Sequence, residues 1–285
     1  KLPEDNGIGD GGLAAETASP APASKKTAKP GGAAADGAGD AGAAVVQQTA
    51  KTHTSAEVPS AVSAKANALK SDDKNFKATL SDYVRENIID QSTSDKLHAL
   101  VEAGVVTPLL IKQGLENNSL SAVEPGQKGN WNKVLNKALQ ANHTYLVGDY
   151  LYETDDIGRI KRVSGELNLD MRDRNTYQQG KSANTDGIKD GLSDDDGGHL
   201  IASIFDGAGE QINYAPMNSN LNRGAWKCME NEWAEALKSE PPKEVKVEIR
   251  PVYDEGINRP TSFIVNYTID GKPYKKRFKN KSSKG

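Results

Sequence analysis

The pattern of hydrophobic and polar residues divides the chain into three segments. Residues 1–60 are rich in Ala, Gly, Pro and Ser and bury too little apolar surface to offset their conformational entropy, so we expect a disordered linker. Residues 61–121 are predicted to be helical, because apolar residues recur three or four positions apart with one longer gap. The recurring positions are Leu69, Phe76, Leu80, Val84 and Ile88. A second helix is predicted to begin at Asp95, with Ser94 as its N-cap.

Residues 122–285 have a different pattern, in which aromatic and β-branched residues alternate with polar ones. An amphipathic helix is predicted over residues 220–237, with Trp226, Met229, Trp233 and Leu237 on one stripe. A strand is predicted over residues 145–152, and its partner over 159–167 follows a turn that contains Asp155, Asp156 and Gly158. A short strand is predicted over 199–204, and three more over 244–249, 262–269 and 274–278. The Asp270-Gly271 pair predicts a hairpin between the last two. The fold class is α+β, with hairpins around one prominent helix.

Composition and charge narrow the function classes. The chain has 285 residues, enough for one or two domains, and a net charge of −3, which gives no overall nucleic-acid signature. The segment 271–285 nevertheless holds seven Lys or Arg and no acid, which is typical of a phosphate-binding surface or of a solvated terminus. The single cysteine, Cys228, excludes an internal disulfide framework and a Cys-based zinc site.

No apolar run is long enough to span a bilayer, and the best stretch, residues 97–111, is broken by Glu102 and Pro108. Because the first residue is Lys rather than Met, we expect the chain to be a fragment.

One of the four histidines, His199, has neighbours suited to chemistry. It is followed by several Asn residues and by Glu230, and Asn222, Trp226 and Glu230 are spaced four apart on a predicted helix. In a regular helix Asn222 and Glu230 lie about 12 Å apart along the axis, so one could ligate an ion and the other hold its water shell. Magnesium accepts this arrangement because it keeps several waters, and a neutral imidazole could take a proton from the attacking water. A histidine at a strand end is, however, more often structural.

The order of the motifs favours chemistry. The string DGGHLIASIFDGAGEQINYAPMNSNLNRGAWKCMENEW resembles the DNA/RNA non-specific endonuclease family, which has a ββα-metal (His-Me finger) core. The matching motifs are Asp-x-Gly-His at 196–199, Asn-x-x-Pro at 213–216, Leu-Asn-x-Gly-x-Trp at 221–226, and Glu230. The segments YETDDIGRI and RPTSF are similar to the branch of the family found in bacterial polymorphic toxins, and the resemblance covers roughly residues 140–280.

The resemblance implies a role for each matching position. His199 would be the general base, and Asn222 would be the direct ligand of Mg²⁺, for which Mn²⁺ could substitute. Glu230 would orient metal-bound waters, and Asn213 would support His199 or the phosphate. Asp196 would stabilise the conformation of the motif.

Position 197 departs from the family pattern, because many members carry there an Arg that contacts phosphate, whereas this chain has Gly197. Arg223 is the main substitute for that Arg, and Arg159 and Arg172 are weaker ones.

A second resemblance concerns domain organisation. Residues Leu115–Asn118 resemble the Val-Glu-Asn-Asn boundary of contact-dependent growth inhibition proteins, with Leu in place of Val; an ordinary helix-to-loop junction is the alternative. The resemblance implies that a larger exported stalk protein lies N-terminal to this fragment. The linker over 1–60 and a helical pretoxin segment over 61–121 would belong to the stalk, and residues 122–285 would form a nuclease toxin domain.

These expectations define a secreted or surface-presented Mg²⁺-dependent endonuclease toxin that acts in the cytoplasm of competing bacteria. It would cleave DNA, with RNA as a second substrate, and leave 5′-phosphate ends. An acidic immunity protein would inhibit it in the producing cell. One alternative is an RNA-selective nuclease toxin. A second is a non-catalytic adhesin tip, which the departure from the family pattern at Gly197 favours. A third is a nutrient-scavenging nuclease, which the linker and the Leu115–Asn118 boundary disfavour.

Overall fold

A computed structural model of the chain describes residues 75–185 and 189–282. The linker expected over residues 1–60 and the predicted stripe position Leu69 lie outside the described residues. By their contacts, the described residues all belong to one compact unit, which is the subject of the following description.

Helices open the described part of the chain. The described part of α1 covers residues 75–85, and α2 (Gln91–Glu102) and α3 (Pro108–Glu116) follow. The predicted N-cap Ser94 is wrong, because Asp90 accepts a hydrogen bond from the Thr93 amide at 2.7 Å and starts α2 four residues earlier. Phe76 and Leu80 are buried as predicted, whereas Ile88 lies beyond the end of α1 and is 50% exposed.

The main sheet has seven strands in the order β1-β2-β3-β4-β7-β8-β9. β1 pairs in parallel with β2, and the other neighbours are antiparallel. The strands are β1 (Leu120–Val123), β2 (Thr144–Val147), β3 (Tyr150–Thr154), β4 (Ile160–Glu166), β7 (Val245–Val252), β8 (Ser262–Ile269) and β9 (Lys272–Lys279).

Two predicted hairpins are confirmed, and one predicted strand is two strands. β4 pairs with β3 after the Asp155 turn, and β8 turns into β9 at Asp270 and Gly271, which both have positive φ. The single strand predicted over 145–152 is instead β2 and β3, which reverse at Gly148 and Asp149. Gly148 has φ 58°, a left-handed conformation that glycine adopts without a Cβ clash.

A separate ribbon and its helices complete the fold. α4 (Thr176–Ala183) is followed by β5 (Asp195–His199) and β6 (Tyr214–Asn218), which pair antiparallel. The chain then forms the short helix α5 (Ser219–Leu221), a π-helical turn (Asn222–Trp226) and α6 (Lys227–Lys238). This order of strand, strand and helix confirms the predicted ββα-metal class within an α+β fold.

The strand predicted over residues 199–204 is wrong, because β5 ends at His199 and residues 203–205 form a 3-10 turn. The backbone N–H and C=O of Ile201, which a continued strand would offer to a neighbour, bond instead to the buried side chain of Asn213.

The predicted amphipathic helix packs one side against the main sheet. Trp226, Met229 and Trp233 are at most 1% exposed, and Leu237 packs on the same core from its edge. The Trp226 ring centroid lies 5.2 Å from that of Phe263, in an edge-on contact that adds to the area these side chains bury.

Helices α1 to α3 pack on the face of the sheet opposite to the face that contacts α6. Alternate residues of a strand point to opposite faces, and Leu146 and Leu151 pack on Leu97 and Ile111 of the helices rather than on α6. The helices therefore share a core with β2 and β3, and the predicted boundary between residues 121 and 122 falls inside β1.

The segment Leu115–Asn118 forms the end of α3 and the turn into β1. Asn118 has φ 52°, a left-handed conformation that Asn tolerates at a helix end. None of the described helices combines the length and the apolar character that a membrane crossing requires.

A buried ion pair ties the ribbon to the main sheet. Arg259, which precedes β8, donates from Nε and Nη2 to the two carboxylate oxygens of Asp195, each at 2.7 Å, and from Nη1 to the carbonyl of Asn280 at 2.7 Å. The Asn280 side chain donates to the carbonyl of Pro216 and accepts from the amide of Asn218. Both ribbon strands are thus attached to the end of β9.

Replacing Arg259 by Ala should destabilise the protein by about 3–5 kcal/mol, because it leaves the fully buried Asp195 carboxylate without its partner. Urea unfolding followed by tryptophan fluorescence measures the change. The double variant D195A/R259A should recover much of the loss. Equal destabilisation by the single and double variants would contradict this account.

Candidate active site

His199 is the last residue of β5, where its backbone pairs with Tyr214 of β6. Its ring is half-buried, and its centroid lies 4.6 Å from the Tyr214 ring at a tilt of 48°. Among the residues that the structure describes, neither ring nitrogen has a hydrogen-bond partner. The imidazole is therefore positioned by packing and free to exchange a proton.

The surroundings of His199 favour its neutral form. Burial, together with the positive charges of Arg174 and Lys227, lowers the pKa of His199 to about 4 from its ordinary value of 6.5. At neutral pH the imidazole is a base, as a proton acceptor must be.

Asp196, Asn222 and Arg223 form a hydrogen-bonded cluster between β5 and the π-helical turn. The Asp196 carboxylate accepts from Asn222 Nδ2 at 2.9 Å and from Arg223 Nε and Nη2 at 2.8 and 2.7 Å. Burial alone would raise the pKa of Asp196, but these hydrogen bonds outweigh it and lower the pKa, so the carboxylate is ionised. The bond to Nδ2 fixes the orientation of the Asn222 amide and leaves its Oδ1 without a partner among the described residues.

The predicted regular spacing of Asn222, Trp226 and Glu230 is interrupted by the π-helical turn. Gly224 has φ −105° and ψ −105°, outside the helical region. Single π-helical turns inside helices are frequent at functional sites. Here the turn begins with Asn222, which contacts Asp196 of the ribbon.

Glu230 lies one turn into α6 and is 7% exposed. Burial raises its pKa, and the ammonium of Lys227, 3.5 Å from Oε2, partly opposes that rise. Its carboxylate lies close enough to Arg174 to be affected by that charge as well.

Asn213 is completely buried, so no phosphate reaches it in this arrangement. Its Oδ1 accepts from the Ile201 amide at 2.9 Å and the Tyr152 hydroxyl at 3.1 Å, and its Nδ2 donates to the carbonyls of Ile201 and Ala208 at 2.8 Å each. These bonds satisfy the whole amide and hold the chain that follows His199.

Position 197 has no space for any side chain. A Cβ there would lie 2.1 Å from the carbonyl oxygen of Gln179 in α4. The helix backbone therefore occupies the volume that an Arg at this position would need.

The arginines predicted as substitutes are already engaged. Arg223 holds both oxygens of Asp196, Arg172 pairs with Asp206 at 2.7 Å, and Arg159 pairs with Asp155 at 2.7 Å. Each of these arginines therefore has a definite structural contact.

Two cations beside His199, Arg174 and Lys227, were not predicted from the sequence. Lys227 was detectable in principle, since it lies three residues before Glu230 on the predicted helix. Arg174 had no sequence signal, because its proximity depends on how α4 packs against β5.

Part of the chain matches a known protein family. Residues 141–271 match the family described as DNA/RNA non-specific endonuclease. This range lies within the residues 140–280 for which the resemblance was predicted, so the predicted resemblance and the fold class are confirmed.

Known relatives come from Staphylococcus aureus. Type VII secretion system protein EssD of the strains USA300 and NCTC 8325 / PS 47 is 37% identical over 175 residues, which cover 59% of this chain and 27% of the relative. The chain thus spans about a quarter of the length of these relatives. A structure described as "Structure of Sda1 nuclease with bound zinc ion" is 14% identical, with a TM-score of 0.37 over 47% of this chain and 76% of that chain.

Substituting Gly197 by Ala should destabilise the protein by about 1–3 kcal/mol, the usual range for overpacking, because the new methyl group meets the Gln179 carbonyl and displaces α4. Thermal unfolding measures the effect. Gly180 in the same helix is the control, since a Cβ there meets nothing within 4 Å and Gly180→Ala should be neutral or stabilising. Equal stability of the two variants would refute the steric account.

Proposed function

We propose that this domain is a Mg²⁺-dependent endonuclease that hydrolyses phosphodiester bonds of DNA, and of RNA as a second substrate. The observation that supports it most directly is the composition of β5. This strand carries His199, whose imidazole is neutral and has no hydrogen-bond partner among the described residues, and Asp196, which orients an Asn222 amide whose oxygen is without such a partner. The match of residues 141–271 to the DNA/RNA non-specific endonuclease family supports the substrate class.

The donor set fits a hard divalent cation that keeps most of its waters. Asn222 Oδ1 is an oxygen ligand, and Glu230 supplies a carboxylate for metal-bound waters. Within residues 75–185 and 189–282, no group of three or more His, Cys, Asp or Glu side chains is placed to hold a metal. One direct protein ligand plus waters is an arrangement that Mg²⁺ accepts and that Mn²⁺ could share. When bound, the cation would stabilise negative charge on the phosphate and the leaving oxygen.

The protein's residues would carry the remaining steps. His199 takes a proton from a water molecule, and the water oxygen forms a bond to phosphorus as the bond to the 3′ oxygen breaks. The leaving 3′ oxygen takes up a proton from solvent water, which gives a 5′-phosphate and a 3′-hydroxyl. Asp196 does not take part in proton transfer; it orients Asn222, and Arg223 keeps it ionised.

The basic segment 271–285 supports binding to nucleic acid without sequence preference. Its first part forms β9 at the edge of the sheet, where Lys272, Lys275, Arg277 and Lys279 are exposed. Contacts of such side chains to phosphates add affinity that falls with salt and carry little sequence information.

The biological setting we propose is that of an exported toxin carried by a larger protein. The similarity to a type VII secretion system protein supports export, and the resemblance of Leu115–Asn118 to a toxin boundary supports delivery to competing bacteria. The domain would act in the target-cell cytoplasm, and the producing cell would need an immunity protein. An acidic immunity protein would complement the exposed basic strand.

Replacing His199 by Ala should lower the cleavage rate by about 10²–10⁴-fold, because the general base is lost. Asn222→Ala should abolish the stimulation by Mg²⁺. Cleavage of plasmid DNA, total RNA and tRNA is followed with EDTA, Mg²⁺ or Mn²⁺, and circular dichroism confirms the fold. The three substrates separate a non-specific nuclease from an RNA-selective one. Undiminished cleavage by folded His199→Ala, or an absence of metal-stimulated cleavage by the wild type, would overturn the assignment.

The pH dependence of kcat/KM should reflect the lowered pKa of His199. Activity requires the neutral imidazole, so kcat/KM should hold near its neutral-pH value on acidification and fall only as the pH approaches about 4. His98→Gln, in α2 and outside the site, should leave the profile unchanged. An acid limb centred near 6.5, the ordinary value for histidine, would contradict the burial argument.

A further inference from the structure

The strand that leads to His199 supplies no cation. A Cβ at Gly197 would overlap the Gln179 carbonyl oxygen at 2.1 Å, and a Cβ at Gly198 would lie 2.9 Å from Met217 Cβ on the neighbouring strand. Positive charge for a phosphate at this site must therefore come from another element.

Helix α4 brings such a charge to the site. Arg174 directly precedes Asn175, the buried N-cap of α4, whose side chain accepts from the Gln178 amide at 3.1 Å. The Nε of Arg174 donates to Ser203 Oγ at 3.3 Å, in the 3-10 turn that follows β5. Arg174 is thus held between the start of α4 and the chain that leaves His199.

The charge of Arg174 acts on the reacting groups. It helps lower the pKa of His199, and it favours the ionised form of Glu230 in α6. The same positive charge thus acts on both side chains.

Arg174 also differs in its ion pairing from the arginines that were predicted to substitute for the Arg missing at position 197. Arg159, Arg172 and Arg223 each bind a carboxylate, whereas Arg174 has no carboxylate partner among the described residues and its side chain is exposed. A guanidinium has five N–H donors, so the one bond from Nε leaves both terminal NH₂ groups for a ligand.

We propose that Arg174 binds the phosphate of the scissile linkage through its terminal N–H groups and so takes the place of a side chain that position 197 cannot hold. This proposal rests on the proposed nuclease function. A planar guanidinium fork matches two oxygens of a phosphate, and the charge that develops on those oxygens during attack is stabilised most where donors are already in place. Arg223 has a different role, since it keeps Asp196 ionised and thereby orients Asn222.

The test compares Arg174→Gln and Arg174→Lys with wild type. Gln removes the charge but can still bond to Ser203, so a purely structural role predicts activity close to wild type. A phosphate-binding role predicts a loss in kcat on the order of 10²–10³-fold for Gln, the usual effect of losing one such donor. Lys should restore part of the loss, because it returns the charge without the fork. Lys181→Gln, which removes a charge from the last turn of the same helix, is the matched control.

Two further readouts do not depend on cleavage. In EDTA, binding of a short phosphorothioate oligodeoxynucleotide at several salt concentrations should show a slope of log K against log salt that is shallower by about 0.7–0.9 for Arg174→Gln. An NMR titration of His199 should show a raised pKa in that variant, because a neighbouring positive charge is gone.

These readouts also separate the two proposals. If the wild type cleaves nothing, the nuclease function fails while the oligonucleotide and NMR measurements still decide whether Arg174 binds phosphate beside His199. Arg174→Gln with wild-type kcat and wild-type salt slope would overturn the assignment of Arg174, whatever the activity of the wild type.

Discussion

Close contact between the backbone of α4 and the backbone of β5 at Gly197 determines how this site is built. Gln179 leaves no volume for a Cβ at position 197. The strand therefore positions His199, its last residue, but carries no charged side chain between Asp196 and that histidine. A helix can approach a strand this closely only at glycine. The polar groups around His199 must then arrive from separate elements: α4, the π-helical turn and α6.

The charges of the site are divided accordingly. The imidazole lies near two cations and is kept neutral, whereas Asp196, three residues earlier and on the other side of the glycine pair, is surrounded by donors and kept ionised. The two groups lie on one short strand but have opposite surroundings, which suit them to different roles. A neutral imidazole is suited to accept a proton, whereas the ionised Asp196 carboxylate orients the Asn222 amide.

Much of the fold followed from local sequence, and much of the site did not. The stripe from Trp226 to Trp233 and the Asp270-Gly271 turn are local signals, and the structure confirms both. The break at Gly148 was also local, but the apolar run on both sides concealed it. The end of β5 at His199 depends on Asn213, whose side chain bonds to Ile201 twelve positions earlier, and no periodicity contains that information. The place of Arg174 depends in the same way on the packing of α4.

The attachment of both ribbon strands to Asn280 has a consequence for the order in which the protein is made. Asp195 and Asn218 leave the ribosome long before Arg259 and Asn280, so the ribbon is synthesised without the partners that hold it against the sheet. The hydrogen bonds from Arg259 and Asn280 to the ribbon form only after translation has passed residue 280. For the nuclease proposed above, this order separates synthesis of the ribbon from its attachment to the sheet. The cell that makes the protein would contain the fully attached domain only once that length of chain is free to fold.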